Sequence, residues 1–130
     1  MMFGEMKNLV MNQTNNDLDD LGDFMPQLGG YLNAGYDRLV QAWDGGHIGD
    51  GRFPFMEFDT DSPNLPEWTH AVIVDWATWL MYRNGNPSKQ SRGYAFRDAA
   101  ERMLLQIRGM LNADKGNPSA PRRQIVNIPK

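Results

Sequence analysis

The sequence predicts an all-α fold, a small bundle of three main helices. Three segments carry apolar residues at steps of three and four positions, the spacing of one face of a helix. Each segment ends where glycine, asparagine or proline forbids or discourages further helix. The length of 130 residues fits a single domain. We therefore expect an N-terminal arm at residues 1–16, a helical bundle domain at 17–112 and an extended C-terminal tail at 113–130.

The first main helix is predicted at residues 24–44. Its apolar stripe consists of Leu28, Leu32, Tyr36, Leu39, Val40 and Trp43. Three glycines, at positions 29, 30 and 35, lie inside it, and each costs about 1 kcal/mol relative to alanine. Such a helix persists only where packing supports it, so the glycines predict a close approach of another helix or subunit.

The second helix is predicted at residues 66–84 and is apolar almost all round, which is typical of a helix buried between others. We expect four tryptophans in the core: Trp43, Trp68, Trp76 and Trp79. Asp75 lies among these apolar residues, and a buried carboxylate needs a partner. Arg92 or Arg97 of the third helix is the expected partner, in a structural ion pair or hydrogen bond. Loss of Asp75 should therefore destabilise the fold by about 3–5 kcal/mol.

The third helix is predicted at residues 88–112, with a stripe of Phe96, Ala99, Met103, Leu104, Ile107 and Leu111. Residues 45–65 form a long loop with at most a minor β element near its middle. The spacing in residues 1–16 is weakly helical, and we interpret that segment as an arm or frayed helix outside the core.

The sequence offers no recognisable catalytic or metal-binding set. His70 and Asp75 are five positions apart, so they point about 140° apart on one helix and cannot pair. A zinc pair would need four-residue spacing, the chain has no cysteine, and His47 lies in a glycine-rich loop. We therefore expect no enzymatic activity, no cofactor and no metal. With no run of eighteen apolar residues, we also expect no membrane contact.

Charge is divided between the two halves of the chain. Residues 1–75 carry 13 acidic and 3 basic residues, whereas residues 76–130 carry 3 acidic and 10 basic ones. The halves can fold against each other, or the acidic surface of one copy can meet the basic surface of the next, which builds rings or filaments. The charged halves can also be two solvated faces of a monomer, and the arginine-rich third helix can bind nucleic acid. That helix also carries Asp98 and Glu101, and the net charge is −3, which weighs against nucleic-acid binding.

Two aromatic motifs and the order of the elements resemble a known family. The motifs are L-x-x-x-Y-x-x-L-V-x-A-W, which closes the first helix, and L-P-E-W-x-x-A-x-x-x-D-W-A-T-W-x-x-Y-R in the second. A long loop separates them, and a basic helix with a Pro-rich tail follows. In order and spacing, residues 18–112 resemble the small α-helical head-to-tail connector proteins (adaptor or head-completion proteins) of tailed bacteriophages.

The resemblance implies a structural protein of the virion neck, between capsid and tail. Such proteins form a ring, commonly twelvefold, beneath the portal protein. The ring extends the DNA channel and offers a docking surface for the tail or the next neck protein. DNA would pass through an acidic lumen without sequence-specific binding. The alternatives are another viral or host assembly protein and the nucleic-acid-binding module.

The end of the chain is predicted to clasp a partner. Residues 113–124 are too polar to fold alone, and they are followed by the apolar, β-prone segment QIVNI. We expect backbone pairing to the portal or an adjacent subunit, and the alternative is a disordered terminus. The tail residues assigned to this contact are Arg122, Arg123, Ile125, Val126 and Ile128.

Overall fold

The protein is described by a computed structural model that covers residues 1–14, 17, 22–49, 51–84 and 87–116. Four α-helices lie in these ranges: α1 (Phe3–Gln13), α2 (Leu28–Asp44), α3 (His70–Arg83) and α4 (Pro87–Gly116). Two 3₁₀ segments, Gly22–Gln27 and Glu67–Thr69, lead into α2 and α3. No strand occurs in the described ranges, and the predicted all-α class is confirmed.

Helix α3 lies at the centre and contacts each of the other three helices. Helix α2 runs antiparallel to it: Tyr31 near the start of α2 contacts Asn84 after α3, and Trp43 near the end of α2 packs on Trp68 before α3. Helix α4 is also antiparallel to α3, and its Phe96 stacks on Tyr82 with ring centroids 6.2 Å apart. This position explains why the α3 segment is apolar almost all round.

Two glycines allow these helices to approach closely. A Cβ atom added to Gly35 of α2 would lie 2.8 Å from the carbonyl oxygen of Ile73 on α3. A Cβ atom added to Gly93 of α4 would lie 2.6 Å from the Cβ atom of Tyr82. Real side chains do not tolerate such distances, so the helix crossings require glycine. The close approach predicted from the glycines of the first helix therefore occurs at Gly35.

The expectation that residues 1–16 lie outside the core is wrong. Phe3, Met6 and Val10 of α1 are buried in the same cluster as the apolar residues of α2 and α3. Their three- and four-residue spacing puts them on one face, and that face packs between the two helices. The sequence signal is weak because only this narrow face is apolar. The described ranges thus contain four helices, where the sequence predicts three main ones.

The 45–65 loop is a strap that joins α1 to α2. Its residues Phe53, Met56 and Leu65 are buried. The side-chain amide of Asn33 on α2 bonds both the N–H and the carbonyl of Met56, at 2.9 and 3.0 Å. The backbone carbonyls of Asp59 and Asp61 accept the first N–H groups of α1, from Gly4 and Phe3 at 3.0 and 2.7 Å. These bonds satisfy helix donors that have no partner within α1.

The predicted helix boundaries need small corrections. Helices α2 and α3 each begin four residues later than predicted, because a 3₁₀ segment precedes each of them. Gly45 ends α2 in the left-handed conformation, with φ 83°. Helix α4 continues to Gly116, so a tail beginning at residue 113 is placed too early. The remaining predicted tail residues, Arg122, Arg123, Ile125, Val126 and Ile128 among them, lie outside the described residues.

Candidate functional site

A buried polar cluster joins the end of α1 to α3 and α4. The carboxylate of Asp17 is 2% exposed. It accepts a hydrogen bond from the hydroxyl of Tyr82 at 2.5 Å and another from the guanidinium of Arg92. Burial, together with the negative Asp17 carboxylate, raises the pKa of Tyr82 to about 12. Sequence reasoning missed Asp17, because it lies in the polar run NQTNNDLDD, where nothing marks one aspartate as buried.

The predicted ion pair between Asp75 and Arg92 or Arg97 is wrong. Half-buried Asp75 instead accepts a hydrogen bond from the amide of Gln13 at 3.3 Å. The oxygen of the same amide accepts a bond of 2.5 Å from Thr78. The flank of α3 that carries Asp75 and Thr78 therefore faces α1. Burial raises the pKa of Asp75, and among the described residues the hydrogen bond from Gln13 only partly opposes this effect.

The two arginines assigned to Asp75 have other partners. Arg92 binds Asp17, as described above. The guanidinium of Arg97 lies 5.2 Å from the ring centroid of Trp79 and 4.7 Å from that of Tyr94, and it contacts Asp98 at 3.4 Å. Both arginines therefore help to fix the first turns of α4 on the bundle.

The four tryptophans differ in burial. Trp43 and Trp79 are buried, and Trp76 is partly buried beneath Arg38, whose guanidinium lies 4.5 Å from the ring centroid. Trp68 is 44% exposed, so its assignment to the core is wrong. Its ring packs at an angle against Trp43, with centroids 6.4 Å apart. Trp68 lies in the 3₁₀ segment before α3, and its ring covers the end of the core without entering it.

The two histidines make structural contacts. His70 is buried, and its Nε2 donates to the carbonyl oxygen of Leu65 at 2.9 Å. Burial lowers its pKa. Exposed His47 contacts the carboxylate of Asp37 at 3.2 Å, and the same carboxylate accepts the backbone N–H of Ile48 at 3.0 Å. This arrangement holds the chain just after α2.

The described part of the chain contains no group of three or more potential metal ligands. Within the same ranges, none of the helices is both long enough and apolar enough to cross a membrane.

The first exposed surface of interest is the acidic knob, which we define as residues 57–59 of the strap. Phe58 is exposed at its centre, between the carboxylates of Glu57 and Asp59. Asp61 braces the knob: its carboxylate accepts the N–H groups of Glu57 and Phe58, at 2.7 and 2.8 Å. The two hydrogen bonds lower the pKa of Asp61, and the one from Phe58 has the larger effect. Lys7 of α1 pairs with Asp59 at 3.0 Å and holds the knob against the bundle.

The second surface is the arginine groove, a shallow recess of about 200 Å³ between α2 and α4. The groove is lined by Arg38, Glu101, Leu104, Leu105 and Arg108. Leu104 is buried and forms its floor, whereas Leu105 is exposed. The exposed Arg102 and Arg108 lie three positions before and after Leu105, and residues at that spacing are neighbours on a helix surface.

The acidic knob and the arginine groove lie on different flanks of the same helix. Asn33 of α2 binds the strap next to the knob, and Arg38 of α2 lines the groove. Five positions separate these residues, which corresponds to roughly 140° around an α-helix. One copy of the chain therefore presents the two surfaces in different directions.

Comparisons with protein-family models, with curated proteins and with solved structures found no match to this chain. The arguments for function therefore rest on the residues and on the geometry of the bundle.

Proposed function

We propose that this protein is a structural head-to-tail connector of a tailed-phage neck. In this role, copies of the chain form a ring beneath the portal protein, extend the DNA channel and present a surface to the tail or to the next neck protein. The ring is expected to be twelvefold, to match the family that the sequence resembles.

The observation that carries the proposal is that residues of the two aromatic motifs, on which the resemblance rests, pack in the core of the bundle. Tyr36 and Trp43 of the first motif and Trp79 of the second are buried. The hydroxyl of Tyr36 also accepts a hydrogen bond of 3.1 Å from the backbone N–H of Asn64. The first motif therefore also holds the end of the strap in place. The motifs thus build one subunit scaffold, as expected if they specify a shared fold and not a reaction centre.

The nucleic-acid-binding alternative has less support from the geometry. Of the arginines on α4, Arg92 is bound to the buried Asp17 and Arg97 lies against Trp79 and Tyr94. A phosphate-binding face would rest on Arg102, Arg108 and Arg38, with Glu101 among them. A duplex DNA titration at low salt separates the two functions, because the connector proposal expects no saturable binding.

Mass measurement tests the connector proposal directly. The purified protein is measured by native mass spectrometry, alone and after mixing with the portal protein of the same virus. A closed ring on the portal is the expected species. A chain that stays monomeric at low salt, with and without the portal, contradicts the proposal.

The predicted tail clasp has a separate test. Deletion of residues 119–130 should leave the thermal unfolding of the bundle unchanged, because the buried apolar residues of the described ranges, from Phe3 to Leu111, all remain. The same deletion should sharply weaken attachment to the portal assembly. If the truncated protein assembles as well as the full-length chain, the clasp proposal is wrong while the connector proposal stands.

A further inference from the structure

The two most exposed large apolar side chains in the described ranges have opposite electrostatic surroundings. Phe58 is 68% exposed and lies between Glu57 and Asp59 in the acidic knob. Leu105 is 67% exposed and lies between Arg102 and Arg108 beside the arginine groove. A single exposed apolar side chain is common on protein surfaces, so the charges around these two residues, and not their exposure alone, suggest a binding surface.

Lys7 partly neutralises the knob by pairing with Asp59, and Glu101 lies among the arginines of the groove. Glu57 and Asp61 keep the knob net negative, and Arg38, Arg102 and Arg108 keep the groove net positive, so the two surfaces have opposite net charge.

We propose that the acidic knob of one copy docks into the arginine groove of a second copy. Phe58 then covers Leu105 and the floor of the groove, while Glu57 and Asp59 face Arg102 and Arg108. This proposal rests on the proposed function, since it names the contact between neighbouring subunits of the connector ring.

Both surfaces are held in shape before they meet. The carboxylate of Asp61 accepts two backbone N–H groups of the knob, and Lys7 anchors Asp59. The groove is formed by two packed helices, and its Arg38 rests on the ring of Trp76. Docking of ordered surfaces loses less conformational entropy than docking of flexible segments. The knob and the groove therefore satisfy a requirement for specific association.

The geometry makes the contact head-to-tail. The knob and the groove lie on different flanks of α2, so a subunit that offers its knob to one neighbour keeps its groove available for another. Such heterologous contacts close into rings when the rotation between subunits permits. Complementary charges across an interface also set its orientation and raise the association rate. The exposed ion pairs predict association that weakens as salt screens them.

A complementation experiment tests the docking. Phe58→Gln disables the knob and leaves the groove intact, whereas Leu105→Gln disables the groove and leaves the knob intact. Each variant alone is expected to self-associate about tenfold more weakly than the parent chain at low salt. When the two variants are mixed, one intact contact remains, and a 1:1 dimer with no larger species is expected in native mass spectrometry.

Leu9→Gln is the matched control, because Leu9 is an exposed leucine of α1 outside both surfaces. It should assemble like the parent chain. The docking is overturned if both knob and groove variants also assemble like the parent, or if their mixture stays monomeric. Loss of portal binding with intact self-association would assign these surfaces to the portal and overturn the self-docking. If the parent chain itself stays monomeric with and without the portal, the ring proposal fails as well. This outcome is distinguishable from failure of the docking proposal alone, in which the parent chain still assembles.

Discussion

The hydroxyl of Tyr82 donates a hydrogen bond to the buried carboxylate of Asp17, with 2.5 Å between the two oxygens. This bond links α3 to the chain that follows α1, sixty-five positions earlier. Arg92 adds a cation from α4 to the same carboxylate. Three distant segments of the sequence thus depend on one aspartate for their mutual position.

Tyr82→Phe should lower the free energy of unfolding by about 1.5–3 kcal/mol, the range for a hydrogen bond to a charged group. The measurement is urea unfolding at neutral pH. Tyr94→Phe is the matched control, since Tyr94 is an exposed tyrosine of α4, and its change should stay within about 0.5 kcal/mol. Equal effects of the two substitutions would contradict a structural role for the Tyr82–Asp17 bond.

The same contact predicts a dependence on alkaline pH. Folding raises the pKa of Tyr82 to about 12, above the ordinary value of 10.0, so the folded state favours the neutral phenol. The resulting contribution to stability is complete below pH 10 and is lost as pH rises from there through about 12. Ultraviolet titration of the phenolate should show one tyrosine that ionises late in the parent protein. That late step should be missing in Tyr82→Phe.

Asp75→Asn should stabilise the protein at neutral pH, in contrast to the loss expected from a broken ion pair. Burial raises the pKa of Asp75 above its ordinary value, so its charged form is disfavoured in the folded state. The resulting loss of folding stability is absent below about pH 4, the ordinary pKa of an aspartate in the unfolded chain. It is complete once the pH exceeds the raised pKa of Asp75 in the folded state. Asparagine removes the charge and keeps an oxygen for the amide of Gln13.

The measurement for Asp75→Asn is the midpoint of thermal unfolding at pH 7 and at pH 4. The variant should exceed the parent at pH 7, and the difference should shrink at pH 4. Asp98→Asn serves as control because Asp98 is exposed on α4. A lower midpoint for Asp75→Asn at pH 7 would mean that the carboxylate contributes net stability.

Gly35→Ala should destabilise the contact between α2 and α3. The added methyl group would meet the carbonyl oxygen of Ile73 at 2.8 Å and its Cα atom at 3.0 Å, and both are backbone atoms that cannot rotate away. Overpacking of this kind costs about 1–3 kcal/mol. Gly30→Ala in the same helix meets no atom within 4 Å and should gain up to about 1 kcal/mol. Urea unfolding distinguishes these opposite signs, and a gain at both positions would exclude a close crossing.

Met6→Ala tests the inclusion of α1 in the core. Met6 is fully buried, and truncation of such a side chain costs about 2–5 kcal/mol. Leu9→Ala on the exposed side of the same helix should cost much less. Chemical unfolding of both variants provides the comparison. If Met6→Ala unfolds like the parent, α1 is dispensable and the arm interpretation returns.

The sequence by itself determined the fold class and the order of the main helices. The apolar stripes of α2 and α4 are local patterns, and the residues that stop each helix are local as well. The three glycines inside α2 predicted a close approach of another helix or subunit, because a mid-helix glycine is unfavourable unless packing requires it. Only the tertiary structure showed that the crossing lies at Gly35 and not at Gly30. The helices and their ends could be predicted because their physical causes lie within a few positions along the chain.

The tertiary structure alone decided the partners of the charged and polar groups. Sequence spacing showed that Asp75 needed a partner, yet it could not show that its flank of α3 faces Gln13 of α1. Nor could it separate Asp17 from neighbouring aspartates, or place the acidic knob and the arginine groove on different flanks of α2. Each of these relationships joins residues that are distant in the chain, so it depends on how the helices rotate and pack against one another. Periodicity within one helix carries no information about that rotation.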